Sequence, residues 1–292
     1  MTERTRRDLC PGLLRPWIAD DGALVRVRVP GGQLTTEALR ALHAVAAAHG
    51  DGAVHVTSRA NLQVRAIAHD EGCLSDAVVD AVMATGLMPS ASHERVRNVM
   101  ASPLTGRAGG RADLRPVVRE LDRLLCADPS LAALAGRFLF VLDDGRGDVA
   151  HRDLDLGLVA VSESAVQLRA GRDGWGPVTP TQRAASELVD LARRFLDLAG
   201  TQADSPWHVD ELPGAGPALI GATHERHGAT RVSAEPPPLG RIAQDDGRFA
   251  CHLAVPDGRL DRPLMDDVLT LGSARVVITP WRTLIVPDLE IA

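Results

Sequence analysis

The chain of 292 residues is long enough for two domains of ordinary size, and 45% of its residues are hydrophobic, which is sufficient for a sizeable core. No apolar run approaches the length of a membrane span, and the first eight residues lack the apolar segment of a secretory signal, so we expect a cytoplasmic protein without a membrane partner. Residues 1–65 contain nine arginines and six acidic residues, a net charge of +3, whereas the whole chain has a net charge of −6. This imbalance indicates a local anion site and not a nucleic-acid surface.

The four cysteines are far apart, at Cys10, Cys73, Cys126 and Cys251, and form no CxxC pair. A disulfide framework is not expected in a chain of this length. Cysteines that hold an iron–sulfur cluster are usually closely spaced, so the sequence contains no [4Fe–4S] motif. With four Phe and four Trp, a platform for stacking nucleic-acid bases is not expected either.

The first part of the chain has the pattern of a βαββ unit. Its predicted elements are a strand at 24–29, a helix from Thr35 or Thr36 to about Ala48, and strands at 53–57 and 61–67. Pro30-Gly31-Gly32 breaks the first strand, and a threonine is a favourable residue to cap the helix.

Residues 98–236 have a different pattern. The predicted elements are helices at 113–125 and 181–199 and strands at 138–142, 156–161 and 165–169. The segment 200–236 is rich in Gly, Pro and Ala, which predicts a loop, and Pro236-Pro237-Pro238 predicts a stiff linker.

The end of the chain repeats the first unit. Asp20-Asp21-Gly22 recurs as Asp245-Asp246-Gly247, Val29-Pro30-Gly31-Gly32 as Val255-Pro256-Asp257-Gly258, and Val54-His55-Val56-Thr57 as Val276-Val277-Ile278-Thr279. The second copy predicts a strand at 249–255, a helix at 261–271, and strands at 275–279 and 283–287. Two βαββ units can pair about a pseudo-twofold axis into one sheet with helices on one side. The predicted domains are a first half domain with an extension at 1–97, a middle domain with its linker at 98–236, and a second half domain at 237–292.

One face of the first copy is rich in arginine. Because side chains alternate along a strand, Val25 and Val27 face the helix while Arg26 and Arg28 point the other way. By the same rule Leu62, Val64 and Ala66 face the core. The residues expected on the opposite face or at its turn are Arg26, Arg28, Arg59, Asn61, Gln63 and Arg65. Guanidinium binds carboxylate in a planar, bidentate way, so this face suits a ligand with several carboxylates. A plain solvated sheet face is the alternative.

The second copy loses this polar face. The repeat pairs Arg26 with His252, Arg28 with Ala254, Arg59 with Trp281, Asn61 with Thr283 and Gln63 with Ile285. A face kept only for solubility would be polar in both copies, so the asymmetry favours a site on the first copy. Burial of the second face against the middle region would also explain the difference.

These motifs carry a family resemblance. The segments 24–32 and Thr57-Ser58-Arg59-Ala60-Asn61-Leu62-Gln63 resemble the ferredoxin-like half domain of the nitrite and sulfite reductase superfamily, and Asn98-Val99-Met100-Ala101-Ser102-Pro103 resembles the segment that follows it. Cys10-Pro11-Gly12-Leu13-Leu14-Arg15-Pro16 and Thr279-Pro280-Trp281-Arg282 resemble the precorrin-3B synthase branch, which acts in aerobic cobalamin biosynthesis. The resemblance implies an α+β fold, with two ferredoxin-like βαββ half domains related by pseudo-twofold symmetry and a middle sulfite-reductase-like α/β domain.

The same resemblance implies a tetrapyrrole site, with a precorrin or a sirohaem-like molecule as ligand. Arg26, Arg59 and Asn98 match positions that contact the tetrapyrrole, and Gln63 matches the glutamine of that motif. Arg137 matches a basic residue that binds the small anionic substrate of the reductases. Leu139 stands where those reductases have a second lysine, which weakens sulfite or nitrite as a substrate because a small anion requires converging positive charge.

The function implied by the resemblance is that of a cobalamin-pathway oxidoreductase, a monooxygenase that hydroxylates precorrin-3A with lactone formation. The family arrangement places a cluster-bearing domain after the second half domain, and we expect it to be absent here. Iron is a possible cofactor, with ligands that the sequence does not identify. The alternative is a non-catalytic tetrapyrrole-binding protein, or one subunit of a split reductase-like enzyme that works as a homodimer or with a separate cluster-bearing subunit.

A pair of histidines and a run of acidic residues have side chains of the types that bind metal ions. His224 and His227 are three residues apart, but they lie in a Gly-rich stretch without a helical pattern. The acidic residues between 143 and 155 do not have EF-hand spacing, so a solvated turn is expected there.

Overall fold

The structure is a computed structural model that describes residues 8–200, 202, 205–222 and 224–290. Residues 1–7, which contribute to the expectation that the chain has no signal peptide, lie outside the described residues. In the part of the chain that is described, no helix is long and apolar enough to cross a membrane.

The described residues form fifteen strands and six α-helices. The strands are β1 (Trp17–Ala19), β2 (Gly22–Val27), β3 (Gln33–Thr35), β4 (Val54–Val56), β5 (Leu62–Ile67), β6 (Val99–Ala101), β7 (Phe140–Asp143), β8 (Leu156–Ala160), β9 (Ala165–Ala170), β10 (Gly174–Pro180), β11 (Gly240–Ala243), β12 (Phe249–Ala254), β13 (Arg259–Leu260), β14 (Arg275–Ile278) and β15 (Thr283–Leu289). The helices are α1 (Thr36–His49), α2 (Asp76–Met83), α3 (Arg115–Ala127), α4 (Ala184–Ala199), α5 (Ala215–Ile220) and α6 (Arg262–Thr270).

The chain divides into two compact units. Of the described residues, the half-domain unit contains 10–95 and 236–290, and the middle unit contains 8–9 and those between 96 and 235. The domain boundaries expected at 97/98 and 236/237 stay a prediction.

The half-domain unit contains two five-stranded sheets, in the orders β1-β2-β5-β4-β13 and β11-β12-β15-β14-β3. Each sheet is completed by a short strand from the other copy, since β13 pairs with β4 and β3 pairs with β14. The expectation of one joint sheet was therefore wrong. The short strand after each Pro-x-Gly turn crosses to the other copy. Each sheet therefore has a strand of the other copy at one of its edges.

The backbone of the two copies is repeated in detail. Arg26 pairs with Gln63 across β2 and β5, and the equivalent His252 pairs with Ile285 across β12 and β15. Left-handed φ values recur at Ala60, Ala66 and Gly31 of the first copy and at Arg282, Asp288 and Asp257 of the second. Equivalent residues cap the helices, because Thr35 accepts from Ala38 N and Asp261 accepts from Leu264 N. The structure therefore confirms the pseudo-twofold relation between half domains.

The end of β5 departs from the simple alternation of buried and exposed side chains that the sequence predicts. The pairing of β2 with β5 shifts between Ala23 and Val25, and Ala66 has φ +56°. This bulge places Ile67 in the core, fully buried, where the sequence pattern had assigned Ala66.

The middle unit is built on the sheet β10-β9-β8-β7-β6, in which β6, β7 and β8 are parallel. One face packs on α3 and α4 around Phe138, Phe140 and Phe195. The sequence missed β6, β10 and the helix α5 in the segment expected to be loop. These elements are short, and β10 contains two glycines and two prolines, which weaken a strand pattern.

The exchange of strands leaves no room for a side chain at Gly32. Its φ is +69°, and a Cβ there would overlap the carbonyl oxygen of Ile278 in the other copy. We expect Gly32→Ala to lower the free energy of unfolding by about 2–4 kcal/mol, measured by chemical denaturation. Gly52→Ala is the matched control, because Gly52 has φ +81° with no atom within 4 Å of the added carbon, and it should cost only about 1 kcal/mol. Equal losses in both variants would contradict this account of the exchange.

Candidate functional site

Arg26 and Gln63 form the centre of the arginine face. They lie directly opposite each other on β2 and β5. With the amide oriented to satisfy both groups, Arg26 donates from Nη2 and Nε to the side-chain oxygen of Gln63, at 2.6 and 2.9 Å. The neighbouring Val25 and Val27 are buried in the core of the half-domain unit. The alternation along β2 therefore holds the Arg26 guanidinium in a fixed position on the opposite face.

Arg28 is buried, with 2% of its surface exposed. Its Nε donates to the backbone oxygen of Arg95 at 3.3 Å. Burial, together with the positive charges of Arg26 and Arg59, lowers the pKa of Arg28 to about 10, while Cys10 and Glu94 act in the opposite direction. Arg26, Arg28 and Arg59 thus form a cluster of like charge, which we call the arginine cluster, and its field favours an anion.

Asn61 supports the loop that carries Arg59. Its side-chain oxygen accepts from Val29 N at 3.0 Å, and its own backbone N–H donates to Thr57 Oγ1 at 3.0 Å. Asn61 is almost fully buried. Its oxygen therefore fastens the end of β2 to the turn before β5 and helps to position Arg59.

Arg65 differs from the other predicted residues of this face. Its Nη2 lies 3.5 Å from Asp21, and both side chains are substantially exposed. The carboxylate partly offsets the charge of Arg65, so its contribution to an anion site is smaller than that of the arginine cluster.

The equivalent face of the second copy has a neutral network. His252 is buried, its Nε2 lies 2.6 Å from Thr283 Oγ1, and its Nδ1 lies 3.0 Å from the carbonyl oxygen of Pro238. Burial lowers the pKa of His252. The second copy therefore has no counterpart of the charge pattern of Arg26.

In the middle unit, Asn98 and Arg137 lie at the starts of β6 and β7. Asn98 is buried, and its side-chain Nδ2 donates to Phe138 O at 3.3 Å. The backbone carbonyl of Asn98 accepts from Phe140 N at 3.0 Å. Arg137 is exposed. Leu139 lies in a buried apolar cluster with Met100 and Val141 and supplies no charge.

The acidic segment after β7 is not the solvated turn expected from the sequence. Asp143, Asp144 and Asp148 are fully buried, and Asp155 is nearly so. Asp143 accepts from the backbone N–H of Gly145, Gly147 and Val149. The short glycine-containing turn wraps its amides around the carboxylate, which explains why an acidic segment is buried.

Asp148 is the least well satisfied of these acids. Its Oδ1 accepts from Ser102 Oγ at 2.7 Å, but its buried Oδ2 has no hydrogen-bond partner in the described residues. Burial, together with the negative charges of Asp143 and Asp144, raises the pKa of Asp148 to about 7, while the Ser102 hydrogen bond and Arg146 oppose this.

The described residues contain no group of three or more His, Cys, Asp or Glu side chains placed to hold a metal ion. His227 Nδ1 accepts from Ala229 N at 3.1 Å, which is a turn contact within its own loop. The described residues therefore do not bring together the thiolates that an iron–sulfur cluster needs.

Sequence reasoning missed Glu94. This buried carboxylate accepts from the backbone N–H of Leu13 and Leu14, and it fills the space that a Cβ on Gly12 would need. It holds the segment 10–16 in place and lies close enough to act on the pKa of Arg28. The two partners are about eighty residues apart in sequence, so no local pattern could indicate the contact.

The two strand-exchanged βαββ copies give the half-domain unit a ferredoxin-like fold. The family model of the nitrite/sulfite reductase ferredoxin-like half domain matches residues 19–71. The solved structure of the Mycobacterium tuberculosis NirA protein superposes with a TM-score of 0.70 at 19% identity, over 94% of this chain and 56% of that one. This similarity shows a shared fold.

Two curated proteins share sequence with the chain. A precorrin-3B synthase from Sinorhizobium sp is 34% identical over 165 residues, which cover 55% of this chain and 34% of that protein. A ferredoxin–nitrite reductase from Leptolyngbya laminosa is 26% identical over 160 residues, which cover 53% and 31% of the two chains. The matches span about a third of the length of either relative. Over about half of its length, the chain is therefore similar in sequence to a precorrin-3B synthase and to a ferredoxin–nitrite reductase.

The buried acids predict a pH dependence. A carboxyl whose folded pKa is raised destabilises the fold once it ionises, so stability should be highest below the unfolded pKa of about 4 and should fall as the pH rises to about 7. We expect Asp148→Asn to remove this contribution, which is about 1.4 kcal/mol per pH unit within that window. The raised pKa of Asp144 leaves a residual slope of the same sign.

Denaturant unfolding at pH 4, 5.5, 7 and 8 measures the effect. Asp153→Asn is the control, since Asp153 is exposed in the same segment. If Asp148→Asn leaves the slope unchanged from pH 4 to pH 7, the Asp148 carboxyl is not the cause.

Proposed function

We propose that the half-domain unit binds a polycarboxylate tetrapyrrole through the arginine cluster. The observation that carries the proposal is the convergence of Arg26, Arg28 and Arg59, with Arg28 buried among like charges. A carboxylate placed among them would relieve their repulsion and accept charge-assisted hydrogen bonds. Arg26 is already oriented by Gln63, which reduces the ordering cost of binding.

We further propose that the chain acts as a cobalamin-pathway oxidoreductase that resembles precorrin-3B synthase. The similarity to the Sinorhizobium protein supports this assignment. The implied reaction is oxygen-dependent hydroxylation of a precorrin with lactone formation. In this proposal the arginines bind and orient the acidic side chains of the substrate. The resemblance also makes Asn98 and Arg137 candidates for tetrapyrrole or anion contacts within the middle unit.

The second candidate is a non-catalytic tetrapyrrole-binding protein, or one subunit of a split reductase-like enzyme. The observation that favours it is the lack of convergent metal ligands in the described residues. In this case the redox centre would belong to a separate subunit. Both candidates use the same arginine cluster and differ in whether the chain itself turns over a substrate.

The binding proposal predicts that Arg26→Ala and Arg59→Ala each weaken tetrapyrrole binding by about 1.5–3 kcal/mol, the range for hydrogen bonds to a charged group. Absorbance titration with sirohaem or a precorrin measures the affinity. Arg40→Ala is the control, since Arg40 is an exposed arginine on α1 whose Nη2 is 3.9 Å from Glu37. Unchanged affinity in both site variants would show that the ligand binds elsewhere.

Iron analysis and turnover separate the two candidate functions. The purified protein is assayed for iron, for visible absorbance and for oxygen-dependent conversion of precorrin-3A. Turnover by the chain alone supports the oxidoreductase. Tight tetrapyrrole binding without iron and without turnover supports the binding protein or split enzyme.

A further inference from the structure

Two arginines of the middle unit lie over the indole ring of Trp175. The guanidinium carbon of Arg226 is 4.6 Å from the ring centroid, and that of Arg169 is 5.1 Å from it. Arg169 is on β9 and Trp175 is its direct partner on β10. All three side chains are partly exposed. The indole attracts both cations, and both guanidinium carbons lie within contact range of the same ring.

This pair of cations is not neutralised by a nearby acid. Among the described residues, no carboxylate oxygen lies within 4.0 Å of either guanidinium. Burial lowers the pKa of Arg169, the charge of Arg226 lowers it further, and the more remote Asp143 acts in the opposite direction. Burial and the charge of Arg231 lower the pKa of Arg226 as well. An anion at this place would be stabilised by both arginines.

Both guanidiniums have N–H groups to offer a ligand. Arg169 Nη1 donates to the carbonyl of Ala150 at 2.6 Å. Arg226 donates from Nε and Nη2 to Thr230, at 3.2 and 2.8 Å. Within the described part of the chain, Arg169 Nη2 and Arg226 Nη1 make no hydrogen bond to protein. The contacts already made fix the planes of the two side chains and leave these donors for an oxyanion.

The loop that carries Arg226 is fastened to the sheet. Gln167 is 1% exposed, and its Nε2 donates to the carbonyls of Glu225, at 2.8 Å, and Gly176, at 3.1 Å. Its side-chain oxygen accepts from His227 N at 2.8 Å. Gln167 thus binds the residue before and the residue after Arg226, so the second cation is placed by a buried amide before any ligand arrives.

We propose that Arg169 and Arg226 form a carboxylate-binding site on the middle unit, built on Trp175 and separate from the arginine cluster. Its ligand is an organic polycarboxylate, since two guanidiniums that lie over one indole ring can each bind a carboxylate of the same molecule. The carboxylates can belong to a small free acid or to the periphery of a tetrapyrrole. The site does not depend on whether the half-domain unit binds a tetrapyrrole.

The test uses citrate as the small probe and uroporphyrin as the tetrapyrrole probe, measured by calorimetry at constant ionic strength. The starting protein carries Arg26→Ala and Arg59→Ala, so that binding at the arginine cluster does not contribute. We expect saturable binding of at least one probe, and a loss of affinity of at least about tenfold when Arg169→Gln or Arg226→Gln is added. Binding of citrate indicates a small free acid, and binding of uroporphyrin alone indicates a tetrapyrrole.

Arg123→Gln is the matched control, because Arg123 is an exposed arginine of the same unit that is paired with Glu120 at 2.7 Å. Arg226 lies in a loop, so Arg226→Gln keeps the test valid if the half-buried Arg169→Gln variant fails to fold. If neither probe binds, the proposal is overturned. Binding that neither substitution weakens also overturns it. If the probes bind the wild-type protein but neither binds once Arg26→Ala and Arg59→Ala are introduced, the proposed function stands and this second site does not.

Discussion

The half-domain unit depends on the reciprocal exchange of two short strands. After each Pro-x-Gly turn the chain leaves its own sheet and pairs with the other copy, so that β3 extends one sheet and β13 extends the other. The close approach of Gly32 to Ile278, and of Gly258 to Val56, permits this exchange. Neither copy completes its own five-stranded sheet alone. The two repeats, which are separated in sequence by the whole middle unit, must therefore fold as one body.

Much of this architecture could be predicted from the sequence, because each copy of the repeat contains its own local signals for strands, turn and helix. The turn at Pro30, the cap before α1 and the alternation along β2 each follow from residue types that act within a few positions. The exchange could not be predicted in this way, since a two-residue strand such as β13 has no periodic signal. The bulge at Ala66 could not be predicted either, because an alanine with positive φ has no sequence signature comparable to that of glycine.

The candidate site was predicted where it depends on strand alternation and was missed where it depends on contacts across the chain. Arg26 and Gln63 face each other because both lie on paired strands. Glu94 fastens the segment 10–16 from a distance that no local pattern covers. The sequence predicted a solvated turn for the acids after β7, because charged side chains are usually exposed. In the structure the backbone N–H groups of a tight turn donate hydrogen bonds to Asp143, which permits its burial.

The comparison of the two copies also bears on the meaning of the arginine cluster. Burying a guanidinium among like charges opposes folding, as the lowered pKa of Arg28 shows. The scaffold does not require that cost, because the second copy builds the same strand pairing with Ala254 at the position of Arg28 and His252 at that of Arg26. The same backbone is thus compatible with a neutral, hydrogen-bonded face. A cluster that the fold can do without supports the proposal that this face binds an anion.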